Sequence, residues 1–206
     1  MPKYIYLVRH GETEYNNKEI THGQYDVPLN DLGKKQAKLL GVELKNTEFD
    51  VCVCSPLSRA VQTAKEILAY HPNVPIIYDD RLMEIYKGNL ENTTEYPIDY
   101  LHDEKLDVLM KHGVESHAHF YTRVKDALNE ITTKYADKNV LVVSHCGTVR
   151  MSMIYFDPPD TCIEDDYYKV NIRNCSVQRF ENKKQTKEPI LVTYDVDKNE
   201  WPWIAI

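Results

Sequence analysis

The chain has 206 residues, 42% of them apolar and 28% charged, which is the balance of a globular protein long enough to bury a real core. With 25 Lys and Arg against 32 Asp and Glu its net charge is −7, giving no general attraction to nucleic acid or to an anionic membrane surface. An anionic ligand must therefore be held by a local cluster of positive charge.

Tyr4–Val8 reads as a buried strand that ends at Arg9, His10 and Gly11. Leu32–Leu44 places Ala37, Leu40 and Leu44 on one helical face, and Val51–Cys54 is a second strand ending at Ser55 and Pro56. Leu57, Val61, Ala64 and Leu68 recur at helical spacing, with Arg59 in the first turn. Ile76–Tyr78 is a short strand. The stretch Glu84–Gly113 follows neither period and reads as an irregular excursion; an insertion or lid over residues 85–119 is expected within a single domain spanning 1–206. Phe120, Val124, Ala127, Leu128 and Ile131 line another helix, and Val140–Val143 is a third buried strand closed by Ser144 and His145. Pro158 and Pro159 stop whatever follows it. Val177–Phe180 and Ile190–Tyr194 read as strands or an antiparallel pair.

Strands apolar on both faces, alternating with amphipathic helices, predict an α/β fold: a mostly parallel central sheet with helices on both faces. Ligands in such folds bind at the carboxyl ends of the strands. Those ends carry Arg9 and His10, Ser55 followed by Arg59, and Ser144 with His145, which together make the required positive cluster. Five cysteines (Cys52, Cys54, Cys146, Cys162 and Cys175) are an odd number, without paired C-x₂-C metal spacing. They read as small packed residues in a reducing compartment, and a cytoplasmic location is expected. No apolar run approaches the ~20 residues of a membrane span, and the short stretch before Arg9 is not a signal-peptide core.

Phosphoryl transfer is the chemistry that suits such a cluster. Its catalysis is mainly positioning plus stabilisation of charge on three oxygens, and arginine binds two of those oxygens at once. A histidine kept neutral by neighbouring cations can attack phosphorus, and a carboxyl group that gives and then takes a proton completes both half-reactions. Glu84 is the candidate for that role, with Asp79, Asp80 and Glu91 as nearby competitors. Glu12 and Thr13 are expected to hold the loop after the first strand. His112, His117 and His119 lack metal-binding helical spacing and are expected to face solvent.

The sequence LVRHGETEYN at Leu7–Asn16 resembles the histidine phosphatase superfamily, also called phosphoglycerate mutase-like. The similarity continues through Asp26–Asn30, Ser55–Ala60, Gln62–Ala64, Leu82–Glu84, Val142–His145 and Asn174–Val177, in the family's order. The resemblance implies a phosphoglycerate mutase-like three-layer sandwich. It also implies that His10 is the phosphorylated nucleophile and that Glu84 is the proton donor and acceptor. Arg9, Arg59 and His145 would bind phosphoryl oxygens, helped by Asn16, the backbone of Gly23 and the backbone at Cys146. No metal or organic cofactor belongs to this mechanism. Two positions depart from the family pattern: Cys146 replaces a glycine after the second histidine, and His22 precedes Gly23 where a small or amide residue is usual.

The expected activity is hydrolysis of a small phosphomonoester. A phosphoglycerate mutase using the same phosphohistidine is the alternative, and a non-catalytic module binding phosphorylated ligands is the third reading. Family mutases carry a longer insertion after the acid, whereas only 28 residues, Ile85–His112, separate Glu84 from Gly113 here. That shorter cover favours hydrolysis. The expected partners are a small phosphorylated substrate and, at most, a second copy of the chain in a homodimer; neither nucleic acid nor membrane is expected.

Overall fold

Burial on both faces explains why the short apolar runs become strands. The structure, a computed structural model, describes residues 1–94, 111–156, 172–181, 184–185, 190–192 and 203–205. β1 (Tyr4–Arg9), β2 (Val51–Cys54) and β4 (Asn139–Ser144) are buried along nearly their whole length, while β3 (Ile76–Tyr78) is an exposed edge. These four lie parallel in the order β3-β2-β4-β1, with Arg9 beside Ser144 and Cys54 beside Val143. Beyond β1 the sheet continues antiparallel through β5 (Val177–Glu181), β7 (Ile190–Val192) and β8 (Trp203–Ala205), and β6 (Lys184–Gln185) pairs with β5. The antiparallel half thus extends further than the sequence patterns indicate.

Strand alternation sends side chains to two cores. Val8, Cys52, Cys54 and Val143 face α2 (Asp31–Leu44) and α3 (Ser58–Leu68), meeting Ala37, Leu40, Ala60 and Ala64. Leu7, Val53 and Val142 face the other way, onto α4 (His117–Lys134) and α5 (Cys146–Phe156), meeting Phe120, Val124, Leu128, Val149 and Met151. The result is the expected α/β sandwich with helices on both faces of the sheet. Leu40 and Leu128 are fully buried in opposite cores, and truncation of either to alanine should cost about 2–5 kcal/mol.

Three local details differ from the sequence reading. α5 is a helix that no periodicity announces, because its buried residues run almost all round its surface. Residues 117–119, which the sequence reading groups with the irregular stretch, form the first turn of α4, whose N-cap is Ser116. His119 is exposed as expected, whereas His112 and His117 are half-buried. Residues 95–110, in the middle of the stretch expected to be an insertion or lid, and Pro158, Pro159, Tyr194 and Cys162 lie outside the described residues. On either side of the undescribed residues 95–110 the backbone is hydrogen-bonded: Asn89 N–H donates to the His112 carbonyl at 2.8 Å and Thr21 N–H to that of Thr93 at 3.0 Å. No helix among the described residues is long and apolar enough to cross a membrane.

Candidate active site

The register of β1 against β4 decides where the two histidines emerge. Arg9 and Ser144 are partners in neighbouring parallel strands, so the next residues, His10 and His145, leave the sheet side by side with ring centroids 5.1 Å apart. The His10 N–H continues the ladder onto the Ser144 carbonyl at 2.9 Å. Asn174 Nδ2 donates to the His10 carbonyl at 3.0 Å. Gly11 is needed at the next position because a Cβ there would lie 2.6 Å from the Gly33 carbonyl oxygen, blocking the approach of α2.

His10 is buried, and its Nδ1 lies 2.7 Å from the Gly11 carbonyl oxygen. A carbonyl only accepts, so Nδ1 carries the hydrogen and Nε2 keeps its lone pair. Burial holds the His10 pKa well below its usual value, and the charges of Arg59 and Arg9 push in the same direction. The ring is therefore a neutral nucleophile.

Arg59, in the first turn of α3, has no exposed surface. Asp26 fixes that turn by accepting from Ser58 N–H at 2.8 Å and Ser58 Oγ at 2.6 Å. The guanidinium donates to the carbonyls of Gly23 (2.6 Å) and Tyr25 (3.1 Å) and, through Nε, to His145 Nδ1 (3.2 Å). No carboxylate forms an ion pair with it among the described residues. Burial lowers its pKa to about 10, so it remains a cation at neutral pH. Arg9 donates through one terminal nitrogen to the Ile172 carbonyl at 2.6 Å. Its Nε is buried without a partner among the described residues.

His145 accepts from Arg59 at Nδ1, which leaves the hydrogen on Nε2, 2.7 Å from Ser55 Oγ. Burial and the charge of Arg59 keep this ring neutral as well. Gly23 takes a positive φ of 45°, and a Cβ there would collide with Glu91 Oε1 at 2.3 Å and Lys87 Cγ at 2.8 Å. Its observed contact is the carbonyl bond to Arg59. Asn16 Oδ1 accepts from Thr13 N–H at 3.2 Å in the capping box of α1 (Glu14–Asn17), beside Asn174. Glu12 and Thr13 do brace this loop, since Glu12 accepts from Asn30 Nδ2 at 2.9 Å.

Glu84 follows β3 and a short turn, Asp80–Leu82. Its Oε1 accepts from Ile85 N–H at 2.9 Å and its Oε2 from Gly147 N–H at 3.0 Å, in the first turn of α5. The carboxylate is thereby fastened to the backbone two residues beyond His145. The structure also places Cys146 here, half-buried, its thiol 3.8 Å from the Ile172 carbonyl that accepts from Arg9.

Arg123 and Glu115, which brace the site, carry no signal in the sequence reading. Arg123 on α4 grips the backbone before Glu84: it donates to the carbonyls of Arg81 (2.8 Å), Met83 (2.7 Å) and Glu84 (2.9 Å). The rest of its guanidinium forms a bidentate pair with Glu115 at 2.7 and 2.8 Å. His22 lies edge-on to His10 at 6.2 Å between ring centroids and meets Tyr15, which stacks on Tyr25 at 5.8 Å. Burial, then the Arg59 charge, lowers its pKa to about 3. No three His, Cys, Asp or Glu side chains among the described residues converge as a metal site would require.

A sheet of this topology with two neutral histidines and two arginines at one edge defines a phosphoryl-transfer enzyme class. The chain belongs to the histidine phosphatase superfamily (branch 1), whose family model matches residues 5–194. It is 40% identical over 158 residues to phosphoserine phosphatase 1 of Hydrogenobacter thermophilus, covering 73% of this chain and 74% of that protein. A broad-specificity phosphatase of Saccharomyces cerevisiae is 28% identical over 194 residues, covering 91% of this chain and 83% of the yeast protein. The fold is shared with a phosphoglycerate mutase from Bacillus anthracis, with a TM-score of 0.72, 23% identity, and coverage of 89% of this chain and 90% of that one.

Proposed function

We propose that the protein is a phosphatase that hydrolyses small phosphomonoesters through a phosphohistidine on His10. The observation that carries this reading is Arg59, a fully buried cation with no carboxylate ion pair among the described residues, beside a histidine whose Nε2 lone pair is free to attack. Leaving a charge buried and unpaired costs several kcal/mol, which a bound dianion recovers.

In the first half-reaction His10 Nε2 attacks phosphorus while Arg59 and Arg9 neutralise the phosphoryl oxygens. His145 adds the Nε2–H that it now shares with Ser55. The ester P–O bond breaks, and the leaving oxygen takes a proton from the Glu84 carboxyl group. In the second, the Glu84 carboxylate removes a proton from water, whose oxygen attacks phosphorus and releases His10 Nε2. Asn16, Gly23 and Cys146 line this site as supports, Gly23 by holding Arg59. The free thiols of Cys52, Cys54, Cys146 and Cys175 support placing this activity in the cytoplasm.

The test is phosphate release from a panel of phosphomonoesters in EDTA, comparing wild type with His10→Ala and following phosphoglycerate interconversion in parallel. Release that survives EDTA and disappears in the variant is expected, with an acid-labile phosphate trapped on the wild-type protein. Interconversion faster than release would make the protein a mutase; activity retained without His10 would overturn the phosphohistidine route.

A further inference from the structure

Glu91, a near neighbour of Glu84 in the sequence, stands one peptide unit away from Arg59. The Gly23 carbonyl accepts from the Arg59 guanidinium at 2.6 Å, and the Gln24 N–H of the same peptide unit donates to Glu91 Oε1 at 2.6 Å. In a planar trans peptide these two groups point in opposite directions, so guanidinium and carboxylate face one another across a single amide. The amide dipole lies with its negative end on the cation and its positive end on the anion, and each hydrogen bond strengthens the other.

The surrounding contacts make this arrangement specific. Glu91 reaches the peptide only because residue 23 is glycine, since a Cβ there would lie 2.3 Å from its Oε1. The same oxygen accepts from Lys87 N–H at 3.2 Å, and Gln24 Nε2 donates to the Glu84 carbonyl at 3.1 Å. The loop that holds Arg59 is thereby tied to the segment that carries Glu84. Burial raises the Glu91 pKa, and the amides of Gln24 and Lys87, then the charge of Arg59, oppose that rise. A carboxylate paired directly with Arg59 would occupy donors that a phosphoryl group needs. Through the amide, Arg59 spends donors on Gly23, Tyr25 and His145 and none on an acid among the described residues.

Resting on the phosphatase reading above, we propose that Glu91 is a positioning residue: acting through the Gly23–Gln24 peptide, it fixes the Arg59 guanidinium for the phosphoryl group without pairing with it. Glu91 is only half-buried, so solvent and salt screen its repulsion of an incoming anion, and its geometric effect on Arg59 dominates.

The test is a double-mutant cycle with binding measured alongside turnover. Wild type, Glu91→Gln, Glu91→Ala, Arg59→Met and the double variant Glu91→Ala/Arg59→Met are compared, each shown to be folded by thermal melting. Calorimetry reads inorganic phosphate affinity, and hydrolysis of p-nitrophenyl phosphate reads kcat/KM. Glu91→Ala is expected to weaken phosphate binding roughly tenfold and to lower kcat/KM by a similar factor. Glu91→Gln should fall in between, because its amide oxygen still accepts from Gln24 N–H but carries no charge. In the Arg59→Met background the alanine substitution should lower kcat/KM by less than about twofold, since no guanidinium is left to position. Equal factors in the two backgrounds would mark a merely structural role and overturn the assignment. Phosphate bound by Glu91→Ala as tightly as by wild type, or more tightly, would overturn it as well. Weaker phosphate binding in Glu91→Ala without any hydrolysis by the wild type would remove the phosphatase reading alone. Hydrolysis with equal factors in the two backgrounds would remove the role of Glu91 alone.

Discussion

The floor and the wall of the site treat their arginines in opposite ways. On the floor, Arg9 ends β1 and Arg59 sits in the first turn of α3; they touch only carbonyls and a histidine nitrogen, with no acid to pair them among the described residues. In the wall, Arg123 is saturated by Glu115 and three carbonyls, and Arg81 is paired with Asp79 and Glu130, each at 2.7 Å. A cation without a counter-ion is a binding element, while a cation with its full complement of acceptors is a fastening. The same residue type therefore does two jobs, and its partners decide which.

That contrast can be broken most severely at the floor. His10→Ala should reduce phosphatase turnover by at least ~10³-fold, measured as phosphate release at saturating substrate, because it removes the nucleophile of the proposed phosphohistidine route. Arg59→Met should lower kcat/KM by roughly 10²–10³-fold. Inorganic phosphate should raise the melting temperature of the wild type, and Arg59→Met should abolish that rise. A phosphate-induced shift retained in Arg59→Met would put the anion elsewhere.

The wall should respond differently. Arg123→Met removes the guanidinium partner of Glu115, whose side chain is only 7% exposed, leaving it Tyr86 N–H and His119, and should cost about 2–4 kcal/mol in denaturant unfolding. It should also lower kcat roughly tenfold with little change in KM, since it loosens the backbone that aims Glu84 but touches no phosphate. A large KM effect with an unchanged kcat would make Arg123 a substrate contact instead.

Acid pH gives the finest distinction. His10, His22 and His145 all have depressed pKa values in the folded protein, so the unfolded chain takes up their protons first as pH falls below about 6.5. Their contribution is fully present above that pH and is lost progressively below it. For His22 the loss continues to about pH 3, at about 1.4 kcal/mol per pH unit. His22→Asn should therefore flatten the stability curve between pH 6 and 4 by about one proton's slope, read by thermal or urea unfolding.

The floor was also the part most legible in the sequence, for a physical reason. Strand ends follow directly from short, doubly buried apolar runs such as Val140–Val143, so Arg9, His10 and His145 could be placed at one sheet edge without any tertiary information. The wall depends on contacts between segments whose local patterns are ordinary. Arg123 sits beside the apolar stripe of α4 with nothing local to mark it; its acceptors come from Glu115, just before the helix, and from the return of residues 81–84 against it. Lys87 similarly reads as a surface lysine until Gly23 is found beneath its stem. α5 escaped because a helix buried on nearly every side has no polar face to reveal its period.

The strand order has a consequence for how the chain is made. β1 and β2 are not neighbours; β4, which begins at Asn139, lies between them and is hydrogen-bonded to both. A nascent chain that has delivered the His10 loop and the Arg59 helix still has a gap in the middle of its sheet, and those two groups have no common frame. The catalytic edge comes into being when a segment synthesised some eighty residues after Arg59 slides into that gap, bringing His145 with it. Ribosome-bound fragments that end before Asn139 should therefore neither bind phosphate nor resist protease, however complete their set of N-terminal motifs.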